Sequence, residues 1–480
     1  MLLSVVAVLM LLSCTCGENP AVQVVLTNKA VQYGKHTGTD WIQENLQRVS
    51  LPDISGKILG IIGYTLTGIT IKKCDLPEPS VEFYPDATGF KTSVLGLSLA
   101  ITGGWMTQCG IIHDGGSFDM AVFSVNVISV VELGKDANGH LSVTSVSCDA
   151  RVGDVDIQFH GGASWIFQSF VEHFKGHISR EIEIRICPNV EEMIVNLEYH
   201  LQAMNVSFDV DQALSFDLSL TGLPVMDVSS LNLGLKGEFY SIKTHMDPPF
   251  EAQPFSVPEQ QGYMLSVGLS EFTLNSASYG YYLAGVFQAL INDSMIPPGS
   301  PLHLNTSLMG PFIPQLPKMF PGLLMNLQVY AREVPMFSFQ PDAVKLGFPG
   351  AVKAFAIQPN GTQTPLFKLN VDSEFSSKVW IAGGRVKGSI SMDNFTLTLV
   401  GSEVGTFKTD ALENIARIGV QMVLAKLNEK MGNGVVLPRM KEVELVNSVL
   451  KVEEGFIAIS SDVEAFLTDR GFNRQTNRPA

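Results

Sequence analysis

The chain has 480 residues, a formal net charge of −15, 45% hydrophobic residues and only 16% charged ones. A charged share so far below the usual quarter of a soluble domain points to a large β-rich protein, or to one with an internal apolar cavity such as a lipid carrier needs. The acidic excess is concentrated in residues 18–236, with 13 Lys+Arg against 25 Asp+Glu. That balance disfavours non-specific binding to nucleic acid or to anionic membrane, since both need clustered cations.

The first 17 residues, MLLSVVAVLMLLSCTCG, form an apolar run ending in small residues. They read as a secretory signal peptide without a charged n-region, the run being shorter than the ~20 residues of a spanning helix. The mature protein is therefore expected to be extracellular or stored in secretory granules. Two of the six cysteines fall in this segment, leaving Cys74, Cys109, Cys148 and Cys187. An even, sparse set in a secreted chain implies one or two disulfides, with three full pairings open. N-x-S/T sequons at Asn205, Asn292, Asn305, Asn360 and Asn394 are glycosylation candidates in that compartment.

The mature chain opens with a helical pattern: Leu26, Ala30 and Tyr33, then Trp41, Ile42 and Leu46, with Pro52 beyond its end. From about Lys57 to Cys148 glycines and Asp/Asn clusters punctuate β-branched runs, and KDANGH marks a turn between two strands. Ile166, Phe170, Phe174, Ile178, Ile182 and Ile186 then recur every four residues, the stripe of an amphipathic helix. Four prolines between Pro248 and Pro258 exclude helix and discourage a central strand, so residues 236–264 are the expected interdomain linker.

The second half repeats this plan. SEFTLNSASYGYYLAGVFQALI has helical spacing, and strands are expected from about Leu302 to Val404. A second long helix carries Leu412, Ile415, Gly419 and Met422 on one face and ends at GNG. Two strands follow, then a polar tail, residues 468–480, expected to be disordered. LTNKAVQYG and LNSASYGYY are loosely alike, and a helix–strands–helix unit used twice accounts for the near-equal helix spacings.

WMTQCGIIHDGGSFD, residues 105–119, reads as a hairpin end where large apolar residues sit beside glycines and no cation occurs. Indeed no Lys or Arg lies between Lys91 and Lys135. Either Trp105, Met106, Ile111 and Ile112 contact lipid there, or they are ordinary hairpin packing. Enzyme motifs are missing: GASWI lacks the second glycine of G-x-S-x-G, and there is no H-E-x-x-H or P-loop. His173 and His177 have a metal-compatible spacing but no third ligand, and Asp149, Asp154 and Asp156 read as a solvated strand end. No metal and no catalytic cofactor is expected.

Over nearly the whole mature chain the sequence resembles the bactericidal/permeability-increasing protein and lipopolysaccharide-binding protein family, with the plasma lipid-transfer proteins more distant. The resemblance is carried in order by NPAVQVVLTNKAVQYG, SLPDISGK, GGSFD, SVSC…GGASWIF…IEIRICP, KGEFYS…PPF and MLSVGLSEFTLNSASYGYYLAG. It continues through NDSMIPPGSPLHLNT, FIPQLPKMFPG, AFAIQPN and LNEKMGNGVVLP. It implies an α+β fold: an elongated two-domain boomerang, each domain a twisted antiparallel barrel wrapped around a long helix, joined by a central sheet. The barrels would span residues 18–235 and 265–467. It implies a Cys148–Cys187 disulfide and an apolar pocket for phospholipid acyl chains in each domain. Cys74 and Cys109 fall outside the family pattern; they either form a second disulfide between neighbouring strands or remain thiols. The hairpin end falls where endotoxin-binding members carry Lys and Arg. Here the nearest basic candidates are Lys72, Lys73 and Lys91. The resemblance implies a secreted, monomeric, non-enzymatic innate-immune protein recognising lipopolysaccharide at the bacterial outer membrane. The missing cations leave a phospholipid carrier or transfer protein as the alternative.

Overall fold

The computed structural model describes residues 18–46, 50–58, 60, 62–109, 112–169, 171–258, 260–296, 303–437 and 443–465. The expected signal peptide, the tail expected to be disordered, Ile111 and Phe170 lie outside them. The elements that organise the molecule are β1 (Val22–Thr27), α1 (Asn28–Leu46), β2 (Gly89–Cys109), β3 (Ile112–Lys135), β4 (Leu141–Arg151), α2 (Val171–Gln202), β5 (Leu265–Ser270), α3 (Glu271–Leu283), β6 (Arg385–Ser402) and α4 (Asp410–Asn433).

A six-stranded central sheet unites the two halves, in the order 225–226, 230–235, β1, β5, 456–465, 443–453. Leu26, expected in the first helix, lies instead in β1. VQVVLT is an interior strand paired on both sides, with Val22 and Val25 buried. Six residues running straight into a helix are too short to show a period of their own. β1 pairs antiparallel with β5 around Val24 opposite Val267. Each strand feeds directly into a helix, α1 or α3, so a strand–helix unit recurs 243 positions apart, Val22 with Leu265 and Asn28 with Glu271. The loose match of LTNKAVQYG to LNSASYGYY is out of register with this repeat.

The expected linker has no regular element between Ser241 and Leu265 among its described residues, but it is bound tightly to β1. Gln23 donates from Nε2 to the Phe255 carbonyl at 2.6 Å and accepts the Val257 N–H at 3.3 Å; Thr27 Oγ1 donates to the Tyr263 carbonyl at 2.6 Å. The linker's first residues depart from the expectation: 238–241 is a strand that joins 207–209 and 214–217 in a small sheet. This sheet packs on α3, where a Cβ on Gly280 would come within 2.3 Å of Leu214.

In the N-terminal half an eight-stranded antiparallel sheet curls into a half-barrel, with the β2–β3 hairpin, 21 and 24 residues long, as its spine. The KDANGH turn joins β3 to β4: Asp136 Oδ1 accepts the N–H groups of Asn138 and His140, both at 2.8 Å, and Gly139 takes φ +85°. The amphipathic helix is broken into residues 164–168 and α2, and α2 runs on to Gln202 with Pro188 inside it. Ile178 is fully buried, and Ile182 and Ile186 pack on the core of Leu66, Ile69, Phe118, Val155 and Ile157.

The C-terminal half is built the same way on a seven-stranded sheet. The helix expected through Ile291 stops at Leu283, and Gln288–Asn292 is an edge strand paired with Met325–Ala331. Residues 303–324 are turns and one short helix, so the long strands begin at Met325 rather than Leu302. α4 ends at Asn433 before Gly434, φ +69°. Its core face is Leu412, Ala416, Val420 and Leu424, not the expected Leu412, Ile415, Gly419 and Met422. A four-residue step drifts only slowly around the helix, and β6 meets that stripe. Met422 is exposed.

Candidate functional site

The hairpin end does not present its tryptophan. Trp105 is 2% exposed, opposite Leu66 on one side and Gly116 on the other. Its Nε1 donates to the His160 carbonyl at 3.1 Å, and its ring meets Phe159 edge-on at 5.9 Å. The neighbouring glycines make this packing fit. A Cβ on Gly116 would lie 2.0 Å from the His160 oxygen and 2.8 Å from Trp105 Nε1, and one on Gly103 would lie 2.7 Å from the Phe118 ring. Glycines beside large apolar residues are thus cross-strand space for Trp105 and Phe118. Met106 is exposed; the side chain of Ile112 is outside the described residues.

The basic candidates are not brought to this end. Lys72 and Lys73 are exposed, but Lys73 opposes Ala100, nine residues from Cys109 and so about 30 Å from the turn. Lys91 is further away, half-buried and opposite Glu82. The same register rules out the second disulfide: Cys74 opposes Leu99, ten residues from Cys109. That is roughly 33 Å, far beyond the ~7 Å limit between Cα atoms. Cys74 is buried in the core. Cys148 on β4 is bonded to Cys187 on α2, with a Cα–Cα distance of 5.6 Å.

Among the sequons, Asn205, Asn360 and Asn394 are exposed and Asn292 and Asn305 half-buried. Asn360 sits in a tight turn whose Oδ1 accepts the Thr362 N–H at 3.0 Å. The His177 ring stands edge-on to Tyr64 at 6.2 Å, and the side chain of His173 is outside the described residues. Burial, then the Glu181 carboxylate, pushes the Tyr64 hydroxyl up to about 12. Among the described residues no group of three His, Cys, Asp or Glu could hold a metal ion, and no helix is long and apolar enough to cross a membrane.

What the long helices do carry is more apolar face than their cores cover. At 100° per residue, Met193 and Leu197 lie on the same face of α2 as Ile182 and Ile186, yet they are 64% and 50% exposed. Ile186 packs on one core cluster, Ile194 and Leu201 on another, and the face between is open. Val423 and Leu427 hold the same place on α4 relative to Leu412 and Ala416, and are 58% and 41% exposed. The two pairs are 230 positions apart. A helix with apolar residues on so much of its circumference is normally buried, so these are two equivalent, uncovered apolar strips. The sequence shows both helices as amphipathic, but only the packing tells which apolar residues lack a cover. A separate surface depression of about 320 Å³, lined by Gln288, Leu290, Gln328 and Phe355, involves neither helix.

The curled half-barrels joined by a shared central sheet define a class of two-domain proteins. The chain belongs to the LBP/BPI/CETP family. The model of the family's N-terminal domain matches residues 30–199 and that of its C-terminal domain residues 208–465, so residues 236–264 fall inside the second. The chain is 37% identical over 464 residues to a bactericidal permeability-increasing protein of Sebastes schlegelii, covering 95% of this chain and 98% of that one. It is 26% identical to a human lipopolysaccharide-binding protein, covering 93% and 94%. A crystal structure of lipopolysaccharide binding protein superposes with a TM-score of 0.58 at 23% identity, covering 93% and 99%, and has the same fold. The family is one of lipid-binding, non-enzymatic proteins.

Proposed function

We propose that the protein is a secreted, antibacterial lipid-binding protein that takes lipopolysaccharide of Gram-negative bacteria by its acyl chains, against the strips at Met193/Leu197 and Val423/Leu427. The observation that carries this is the recurrence of an uncovered apolar strip at equivalent places on both helices. Relatives named bactericidal permeability-increasing protein and lipopolysaccharide-binding protein align along more than nine-tenths of the chain and support it. Fully burying such a side chain from water contributes about 1.5–3 kcal/mol and these are about half exposed, so acyl contacts along both strips supply an apolar driving force that needs no charged headgroup. Bound phospholipid, a monomeric state, glycans on the exposed sequons and granule storage belong to the same reading.

One observation favours a second reading, phospholipid carriage: residues 92–134, which include the hairpin end, contain no Lys or Arg. Lipid A phosphates call for clustered charge-assisted hydrogen bonds. The two readings separate when purified protein is offered lipopolysaccharide and neutral phosphatidylcholine vesicles at low and physiological salt. The first expects selective, salt-insensitive lipopolysaccharide binding. Equal or exclusive binding to phosphatidylcholine selects the second, and a steep loss with salt would place recognition on a basic surface instead.

A further inference from the structure

The long helices close the open edges of their sheets by matching contacts. Glu198 accepts the N–H of Val143 on β4 at 2.6 Å, and Glu183 that of Val152, the residue just past the end of β4, at 3.2 Å. Along β6, Glu413 accepts the Leu397 N–H at 3.1 Å, and Asn428 accepts the Ile390 N–H at 2.7 Å while donating to its carbonyl at 2.9 Å. In each helix the two contacts are fifteen residues apart, about 22 Å, and the sets are again displaced by 230 positions. Side chains here satisfy strand groups that a sheet edge leaves unpaired.

Between these contacts the halves differ. Residue 187 in α2 is the cysteine bonded to Cys148, five residues beyond Val143. Its counterpart 230 positions on is Arg417, and five residues beyond Ile390 is Phe395. Arg417 donates to the Phe395 carbonyl at 2.6 Å, and its guanidinium lies 6.0 Å from the Phe395 ring centre. Glu413 holds the same guanidinium at 3.1 Å. A covalent link in one half is thus a polar, reversible one in the other. Arg385 anchors the far end of α4 by donating to the Asn433 and Gly434 carbonyls, each at 2.8 Å.

We infer that the C-terminal half is the one that loads and releases ligand: α4 pivots away from β6 about its Arg385-held end when Arg417 lets go, while α2 stays fixed to β4 by the disulfide. This assignment of the exchanging site rests on the reading that the two strips carry acyl lipid. It makes Arg417 a latch residue that, without touching ligand, sets how readily a chain lying on the open Val423/Leu427 strip passes between α4 and β6.

The first test needs no ligand. Hydrogen–deuterium exchange of the intact oxidised protein, read by mass spectrometry, should show amides of residues 410–420 exchanging about tenfold or more faster than those of residues 178–190. Equal protection, or better protection of α4, overturns the latch. The second test follows release of a fluorescent phosphatidylcholine from loaded protein to acceptor vesicles. Arg417→Met and Glu413→Ala, which remove the guanidinium on the Phe395 carbonyl and the carboxylate that holds it and caps Leu397, should each speed release several-fold. Both rates unchanged from wild type also overturns it. A protein that takes up no phosphatidylcholine removes that ligand as occupant and leaves the exchange experiment to decide the latch.

Discussion

Replacing Trp105 by alanine separates a buried indole from a lipid-inserting one. The side chain is 2% exposed, donates one hydrogen bond to the His160 carbonyl and meets Phe159 edge-on. Truncating so large a core residue costs about 3–5 kcal/mol, and the His160 carbonyl loses its indole donor. For a cooperative unit of the size of the N-terminal half, each kcal/mol moves the midpoint by about 2–4 °C. Calorimetry should therefore show a transition about 10 °C lower for Trp105→Ala. Met106→Ser, at an exposed site on the next residue, should stay within about 0.5 kcal/mol of the parent protein. An alanine variant that melts with the parent and loses only vesicle binding would instead mark Trp105 as an exposed anchor.

Three further outcomes follow from the packing. Gly116→Ala places a Cβ within 2.0 Å of a backbone oxygen and should destabilise by about 3 kcal/mol in denaturant unfolding, although glycine-to-alanine usually helps a strand. Replacing Cys148 and Cys187 by serine reopens a link of sequence separation 39, worth about 4 kcal/mol by loop entropy; an unchanged unfolding midpoint would refute that figure. The third concerns Glu238, buried beside Lys236, whose ammonium lies 3.0 Å from one carboxylate oxygen. Burial pushes its carboxyl above the ordinary glutamate range despite that ion pair, and the nearby Asp247 and Glu18 carboxylates add to the rise. A carboxyl raised on folding favours the native state most when protonated. Its contribution is full below the unfolded value and is lost as pH rises through the folded one. Glu238→Gln should flatten the stability–pH profile just above the normal glutamate range, and an identical profile would show that Glu238 does not titrate there.

Much of the architecture was legible in local pattern. The KDANGH hairpin, the long strands on either side of it, the amphipathic stripe of Ile178, Ile182 and Ile186, and the glycine stop after α4 all follow from periods and turn chemistry within a dozen residues. β1 escaped because an interior strand of six residues has no alternation to read. The edge strand at Gln288–Asn292 escaped because FQALI suits a helix as well as a strand until Met325–Ala331 pairs with it. Apolar residues cover most of the circumference of α4, so periodicity alone does not choose which of them meet β6.

The candidate site divides the same way. Sequence by itself determined the supply of apolar side chains, the cation-free hairpin, the cysteines and the family to which the chain belongs, because each is a property of residue type and order. Tertiary structure alone decided which of those residues are covered. It buried Trp105 against Phe159, set Cys74 about 33 Å from Cys109 by strand register, and left Met193, Leu197, Val423 and Leu427 open. Burial and register are relations between segments distant in the chain. They depend on which strand lies opposite which, and no local pattern contains that.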